Sequence, residues 1–247
     1  MTPHRVFIVG HEGTTGLRIH ERLSDRKDIE LLATADEDRK NVEAIKVVAK
    51  KADLVFLCLP DVASKEIMAA IGDFPCKVID TSTAFRTTAG WAYGFPELGE
   101  SYKTSIATKK HIANPGCHAS GMIACIAPLV KAGLVPADYP FTITSLTGYS
   151  GGGKKMIDQY ESSPKDYFLY APRQYGLGQE HKHLPEVQHV CGLSEAPIFM
   201  PIVDDYYSGM EVTVGIHSRL CHKPVCIDKV QQTLEYFYKD STIITVA

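Results

Sequence analysis

A chain of 247 residues with 45% hydrophobic content is long enough to bury a sizeable core in one large domain or two modest ones. Its formal net charge of -3 supplies no long-range attraction for nucleic acid or an anionic membrane. No apolar run approaches the ~20 residues of a membrane span, so a small-molecule partner is expected, with no nucleic acid and no membrane.

The opening Met1–Gly10 reads as a strand rather than a signal peptide. The seven cysteines are odd in number, scattered and never spaced C-x-x-C, which suggests neither a disulfide framework nor a zinc site. A reducing, cytoplasmic setting and no metal are expected.

Along the first hundred residues, short β-branched runs alternate with helical patterns. The spacing predicts strands at Arg5–Val9, Ile29–Ala33, Asp53–Leu59 and Lys77–Asp80, with a helix opening near Thr14 and two more between the later strands. Leu54–Leu59 is apolar on both faces, as a central parallel strand covered by helices must be. The fold class is therefore α/β, a doubly wound parallel sheet.

After Asn114-Pro115-Gly116 the pattern changes to a strongly apolar helix from Cys117 to about Ala132. Longer, more widely separated strand candidates follow at Phe141–Thr147, Ile198–Pro201 and Met210–Ser218. These predict an α+β second domain with a mixed or antiparallel sheet, giving domains of residues 1–115 and 116–247. Residues 161–178, rich in Tyr, Pro and Ser, read as a long surface or interface loop. The β-branched run at 241–247 reads as a strand entering a sheet.

Gly10, Gly13, Thr14, Thr15 and Gly16 form a G-x-x-G-x-x-G turn between a strand and a helix, the context in which a dinucleotide pyrophosphate binds. Glycine lets the backbone approach the pyrophosphate, while helix N–H groups and the two threonine hydroxyls can donate to it. Asp36, just past the second strand, suits the hydroxyls of an NAD ribose. Arg39 and Lys40 would instead accommodate the 2′-phosphate of NADP, and these residues alone leave the choice open.

Cys117 opens the apolar helix, where the dipole and unpaired N–H groups favour the reactive thiolate form of a thiol. Those N–H groups could also stabilise an oxyanion on an attacked carbonyl. Cys125, in mid-helix, reads as core. The proton-transfer partner is expected in Gln179–Glu186, whose His181 and His183 are one residue apart; His118 is the alternative.

Together these segments resemble the N-acetyl-γ-glutamyl-phosphate reductase family in its shorter form. The likeness is carried in family order by Gly10–Ile19, Phe56–Asp61, Val78–Arg86, Tyr93–Leu98, Asn114–Cys117, Gly148–Lys154 and His181–Glu186. The resemblance implies an NADP-binding Rossmann domain, an α+β catalytic and subunit-interface domain, a homo-oligomer, and a step of arginine biosynthesis. Cys117 would attack an acyl phosphate, NADPH would reduce the thioester, and His183 or His181 would move protons. Asn114 would position the reacting groups, and Arg86 with Ser82 would bind substrate, a guanidinium fork matching phosphate oxygens. Leu59, Pro60, Ser150 and Gly151 would touch the cofactor. The family's glycine- and alanine-rich C-terminal helix has no match here, so weak cofactor binding and low activity are expected of the isolated chain.

Aspartyl-phosphate or carrier-bound aminoadipyl-phosphate chemistry would use the same cysteine. From other classes, Gly148–Lys155 nearly spells a P-loop but lacks the hydroxyl that holds Mg²⁺, and a non-catalytic NADP-binding protein would keep the glycine loop alone.

Overall fold

The computed structural model describes residues 2–247, which divide into two compact units. The first comprises residues 2–94 and 101–115, the second 95–100 and 116–247.

In the first unit the order is β1 (His4–Val9), α1 (Thr14–Ser24), β2 (Ile29–Leu32), α2 (Val42–Ala49), β3 (Leu54–Leu57), α3 (Asp61–Ile71), β4 (Lys77–Asp80), β5 (Ala92–Tyr93), α4 (Glu100–Thr108) and β6 (His111–Ala113). The six strands form one parallel sheet in the order β2-β1-β3-β4-β6-β5. Chain direction across the sheet reverses between β1 and β3, which creates a crevice at their carboxyl ends. Val55, Leu57 and Val78 are fully buried, and Ile45, Ile67 and Ile71 from the helices pack in the same core. In β1 four successive residues, Val6–Val9, are buried, whereas in β3 the fully buried Val55 and Leu57 alternate with the half-buried Leu54 and Phe56, so its apolar run covers one tightly packed face and one partly covered one.

The second unit contains α5 (Cys117–Lys131), β7 (Thr142–Gly148), α6 (Lys154–Glu161), β8 (Arg173–Gln174), α7 (Leu184–Cys191), β9 (Ile198–Asp204), β10 (Met210–Gly215) and α8 (Ile227–Tyr238). Its sheet runs β10-β7-β9-β8 and is mixed: β7 and β9 are parallel, and both edges are antiparallel. Ala119, Met122, Ile123 and Ile126 recur at helical spacing on the buried face of α5.

Two local expectations change. Residues 161–178 are not structureless, because Tyr167–Tyr170 form a 3-10 turn and β8 pairs with β9 through Arg173 and Gln174. Residues 241–247 form no strand; after α8 the Ser241 hydroxyl accepts from the amides of Ile243 and Ile244 and closes a local turn. No helix among the described residues is long and apolar enough to cross a membrane.

Candidate active site

The first unit holds the glycine loop where β1 meets α1. Gly10 has φ +85°, and a Cβ there would lie 2.4 Å from the Cys58 carbonyl oxygen. A Cβ on Gly16 would lie 2.3 Å from the Gly10 carbonyl oxygen. Both positions thus require glycine, and the cradle they leave open fits a pyrophosphate. Gly13 is the N-cap of α1 and supplies no side-chain cap, so the first amides of Thr14, Thr15 and Gly16 lack the usual side-chain acceptor.

Gly10, His11, Thr34, Arg39, Lys40 and Leu59 line one pocket at this crevice. Arg39 forms an ion pair with Glu12 across it. Asp36 opens a 3-10 turn, Asp36–Asp38, that delivers Arg39 to the pocket. Pro60 is the N-cap of α3, directly after Leu59.

At the carboxyl end of β4, Asp80 is fully buried. Its carboxylate accepts from the Ser64 hydroxyl, from the Ser82 amide at 3.0 Å and from the Ser82 hydroxyl at 2.6 Å. Burial pushes the Asp80 carboxyl above its ordinary value, partly opposed by these hydrogen bonds and by Arg86. Ser82 also accepts from the Ala84 amide, so its hydroxyl is engaged in shaping this turn. Arg86 is buried and donates to the carbonyls of Asn114 at 3.0 Å and Thr81 at 3.1 Å. It therefore holds the backbone of Asn114, whose amide donates to Asp80 O at 2.8 Å.

In the second unit Cys117 is exposed at the first position of α5. The preceding Gly116 amide donates to the buried Glu186 carboxylate at 2.8 Å, tying the start of α5 to the first turn of α7. Neighbouring His118 is buried, with Nδ1 at 2.8 Å from Ser145 Oγ and Nε2 at 2.8 Å from the Tyr175 hydroxyl. Burial lowers its pKa to about 4. With both nitrogens engaged and protonation disfavoured, His118 is not suited to serve as the base.

His181 and His183 gather against the same ring. The His118–His181, His118–His183 and His181–His183 centroid distances are 5.6, 5.7 and 4.9 Å. His181 is half-buried, and desolvation followed by the Lys182 charge holds its pKa below the ordinary value. Such an imidazole is neutral near pH 7 and can accept a proton. His183 is buried at the N-cap of α7. No group of three or more His, Cys, Asp or Glu side chains among the described residues is arranged to hold a metal ion.

Ser150 and Gly151 lie on the 3-10 turn Tyr149–Gly152, between β7 and α6. Sequence reasoning missed Tyr175, Ser145, Glu186 and Gln179. Only Glu186 left a trace, as a carboxylate three residues after His183. The Gln179 amide exchanges two hydrogen bonds with the Phe199 backbone, at 2.8 and 2.9 Å, and so fixes the segment leading into His181.

Models of the semialdehyde dehydrogenase NAD binding domain and of the semialdehyde dehydrogenase dimerisation domain match residues 5–105 and 117–247. A Pseudomonas putida protein named N-acetyl-gamma-glutamyl-phosphate reductase 2 is 43% identical over 241 residues, covering 98% of this chain and 77% of that protein. The N-acetyl-gamma-glutamyl-phosphate reductase of Chelativorans sp. is 46% identical over 220 residues, or 89% and 70% of the two chains.

Among solved structures, aspartate semialdehyde dehydrogenase II from Vibrio cholerae superimposes with a TM-score of 0.71 at 17% identity, covering 96% of this chain and 79% of that one. The Candida albicans aspartate semialdehyde dehydrogenase with NADP gives 0.63 at 15% identity, covering 94% and 76%. These two share the fold. The P-loop and non-catalytic readings give way to an oxidoreductase with a nicotinamide-cofactor domain and a dimerisation domain, and the chain belongs to the N-acetyl-gamma-glutamyl-phosphate reductase family of semialdehyde dehydrogenases.

Proposed function

We propose that the chain reduces N-acetyl-γ-glutamyl phosphate to N-acetylglutamate 5-semialdehyde and phosphate, with NADPH as reductant and Cys117 as covalent nucleophile. The observation that carries the reading is an exposed thiol on the first turn of an apolar helix, in the same unit as a cluster of three imidazoles. The Cys117 sulfur forms a bond to the acyl carbon as the bond to the phosphate oxygen breaks, leaving a thioester and free phosphate. Bound NADPH would supply the hydride that reduces this thioester. Breaking the carbon–sulfur bond then releases aldehyde and returns the electron pair to Cys117.

His181 or His183 moves the proton to and from the substrate oxygen, and the lowered pKa of His181 leaves that ring unprotonated and free to accept near neutrality. The amides at the start of α5 stabilise negative charge on that oxygen. Arg86, held in orientation by two carbonyls, and Asn114, three residues before the nucleophile, are the groups assigned to the substrate phosphate and to positioning. Ser82 contributes by shaping the turn that carries Arg86.

Phosphate-dependent oxidation of N-acetylglutamate semialdehyde and of aspartate semialdehyde tests the substrate. The acetylated, longer compound should be favoured by about 10²-fold in kcat/KM, the scale of one methylene plus an amide contact. A preference for aspartate semialdehyde would overturn the assignment.

Arg39 and Lys40 in the pocket after β2 support NADP over NAD, despite Asp36. Replacing both by Ala should weaken NADPH about tenfold, about 1.4 kcal/mol, and leave NADH nearly unchanged. Equal weakening of both cofactors would show that the pair does not read the 2′-phosphate.

A further inference from the structure

An ion pair spans the mouth of the glycine loop, and both of its partners sit on turns closed by backbone hydrogen bonds. The Gly13 amide donates to the Gly10 carbonyl at 3.1 Å, which holds Glu12 inside a tight turn after β1. After β2, the Asp38 amide donates to Ala35 O at 3.0 Å and the Asn41 amide to Asp38 O at 2.8 Å, which fixes the turn carrying Arg39. β1 and β2 are parallel neighbours, so their carboxyl ends bring the two turns side by side. There Arg39 Nη1 donates to the Glu12 carboxylate, and both side chains line the pocket shared with Gly10, Thr34 and Lys40.

In a doubly wound sheet the end of β2 is where the adenosine ribose of a dinucleotide lies, and an arginine there accommodates a 2′-phosphate. Glu12 therefore holds the guanidinium that such a phosphate would take. Asp38, on the turn of Arg39 itself, accepts from the Asn41 side-chain amide at 3.3 Å, so the carboxylate that meets Arg39 comes from the facing loop. A 2′-phosphate must displace that carboxylate before it can form its own charge-assisted hydrogen bonds. The 2′-hydroxyl of NADH carries no charge and leaves the pair in place.

We propose that Glu12 is a specificity-determining residue that competes with the 2′-phosphate for Arg39, and so narrows the margin by which NADPH is preferred over NADH. The inference rests on Arg39 reading the 2′-phosphate. NADPH then binds by exchanging one anion for another on a single guanidinium, and release of the oxidised cofactor is assisted by the returning carboxylate. The pair is partly solvated, with Arg39 41% and Glu12 58% exposed, so the effect of the exchange on affinity is modest.

The test titrates the ¹⁵N-labelled full chain with NADPH, NADH, adenosine 2′,5′-bisphosphate and adenosine 5′-phosphate. Amide shifts of Gly10–Gly16 report each dissociation constant without turnover. The last two ligands differ only in the 2′-phosphate. Glu12→Gln keeps the size of the side chain and removes its charge. It should tighten NADPH and the bisphosphate about threefold and leave NADH and the monophosphate nearly unchanged. In an Arg39→Ala chain the same substitution should have almost no effect, because no guanidinium remains to compete for.

No tightening of NADPH by Glu12→Gln, equal tightening of NADPH and NADH, or an undiminished gain in the Arg39→Ala chain would overturn the competition. The last two results would show that Glu12 acts through its charge on the cofactor as a whole. The reading beneath fails separately. If Arg39→Ala weakens NADPH and NADH alike, Arg39 does not read the 2′-phosphate, and the inference falls with it. Selective weakening of NADPH by Arg39→Ala, with Glu12→Gln neutral, removes the role of Glu12 alone.

Discussion

Burial separates the clustered histidines into different tasks. His118 is 3% exposed and neutral down to about pH 4, whereas His181 remains half-open and can exchange protons. This makes His118 a source of acid sensitivity. The unfolded chain protonates it near the ordinary 6.5, while the folded chain resists until about 4. Between those values the unfolded state binds more protons, so the stability is fully present above about pH 6.5 and lost as pH falls toward 4. His181 acts in the same direction, and Asp80, with its raised carboxyl, acts in the opposite one. Denaturant unfolding at pH 7 and pH 5 isolates the His118 part. His118→Phe should lose less stability than the unaltered chain over this interval, by about 2 kcal/mol. Equal losses would show that His118 is not held neutral. Cys117 stands out in the sequence because a helix start can be recognised from the pattern after it. Tyr175 and Ser145 do not, since their roles arise from hydrogen bonds spanning 57 and 27 residues.

Local elements position the chemistry through contacts that sequence patterns do not encode. Gln179 adopts φ +57°, a conformation costing roughly 1 kcal/mol for a residue with a Cβ. Its side-chain amide offsets that cost by pairing with the Phe199 N–H and C=O as a strand neighbour would. Gln179→Ala should reduce kcat about tenfold by loosening the His181–His183 segment, with little change in NADPH affinity. Unchanged kcat would show that the clamp does not position the histidines. Nothing in the residues around Gln179 announces this pairing, whereas the glycine loop announces itself by its spacing between β1 and α1. Strand ends are similarly non-local. The run from Met210 to Ser218 is β-like throughout, yet β10 stops at Gly215, which pairs with Thr142, the first residue of β7. Among the described residues no partner strand extends the ladder beyond it. The run at 241–247 reads as a strand by composition, and among the described residues it pairs with no strand.

At the scale of the whole molecule, alternating apolar runs and helical patterns identify the doubly wound sheet, because central strands buried on both faces leave a continuous hydrophobic signature. The mixed sheet of the second unit is less legible, since the parallel pairing of β7 with β9 joins residues 56 apart and depends on the connection between them. Both units match semialdehyde dehydrogenase domain models, and the chain spans 77% of its Pseudomonas putida relative. The proposed chemistry requires the substrate acyl group to reside on one sulfur before any reduction occurs. The most direct measurement mixes the full chain with N-acetyl-γ-glutamyl phosphate in the absence of NADPH, quenches in acid, and maps the adduct by mass spectrometry. The account predicts one N-acetylglutamyl group on Cys117, formed with release of one phosphate and discharged as semialdehyde when NADPH is added. Turnover with no adduct at Cys117, or with the acyl group on another cysteine, would contradict it.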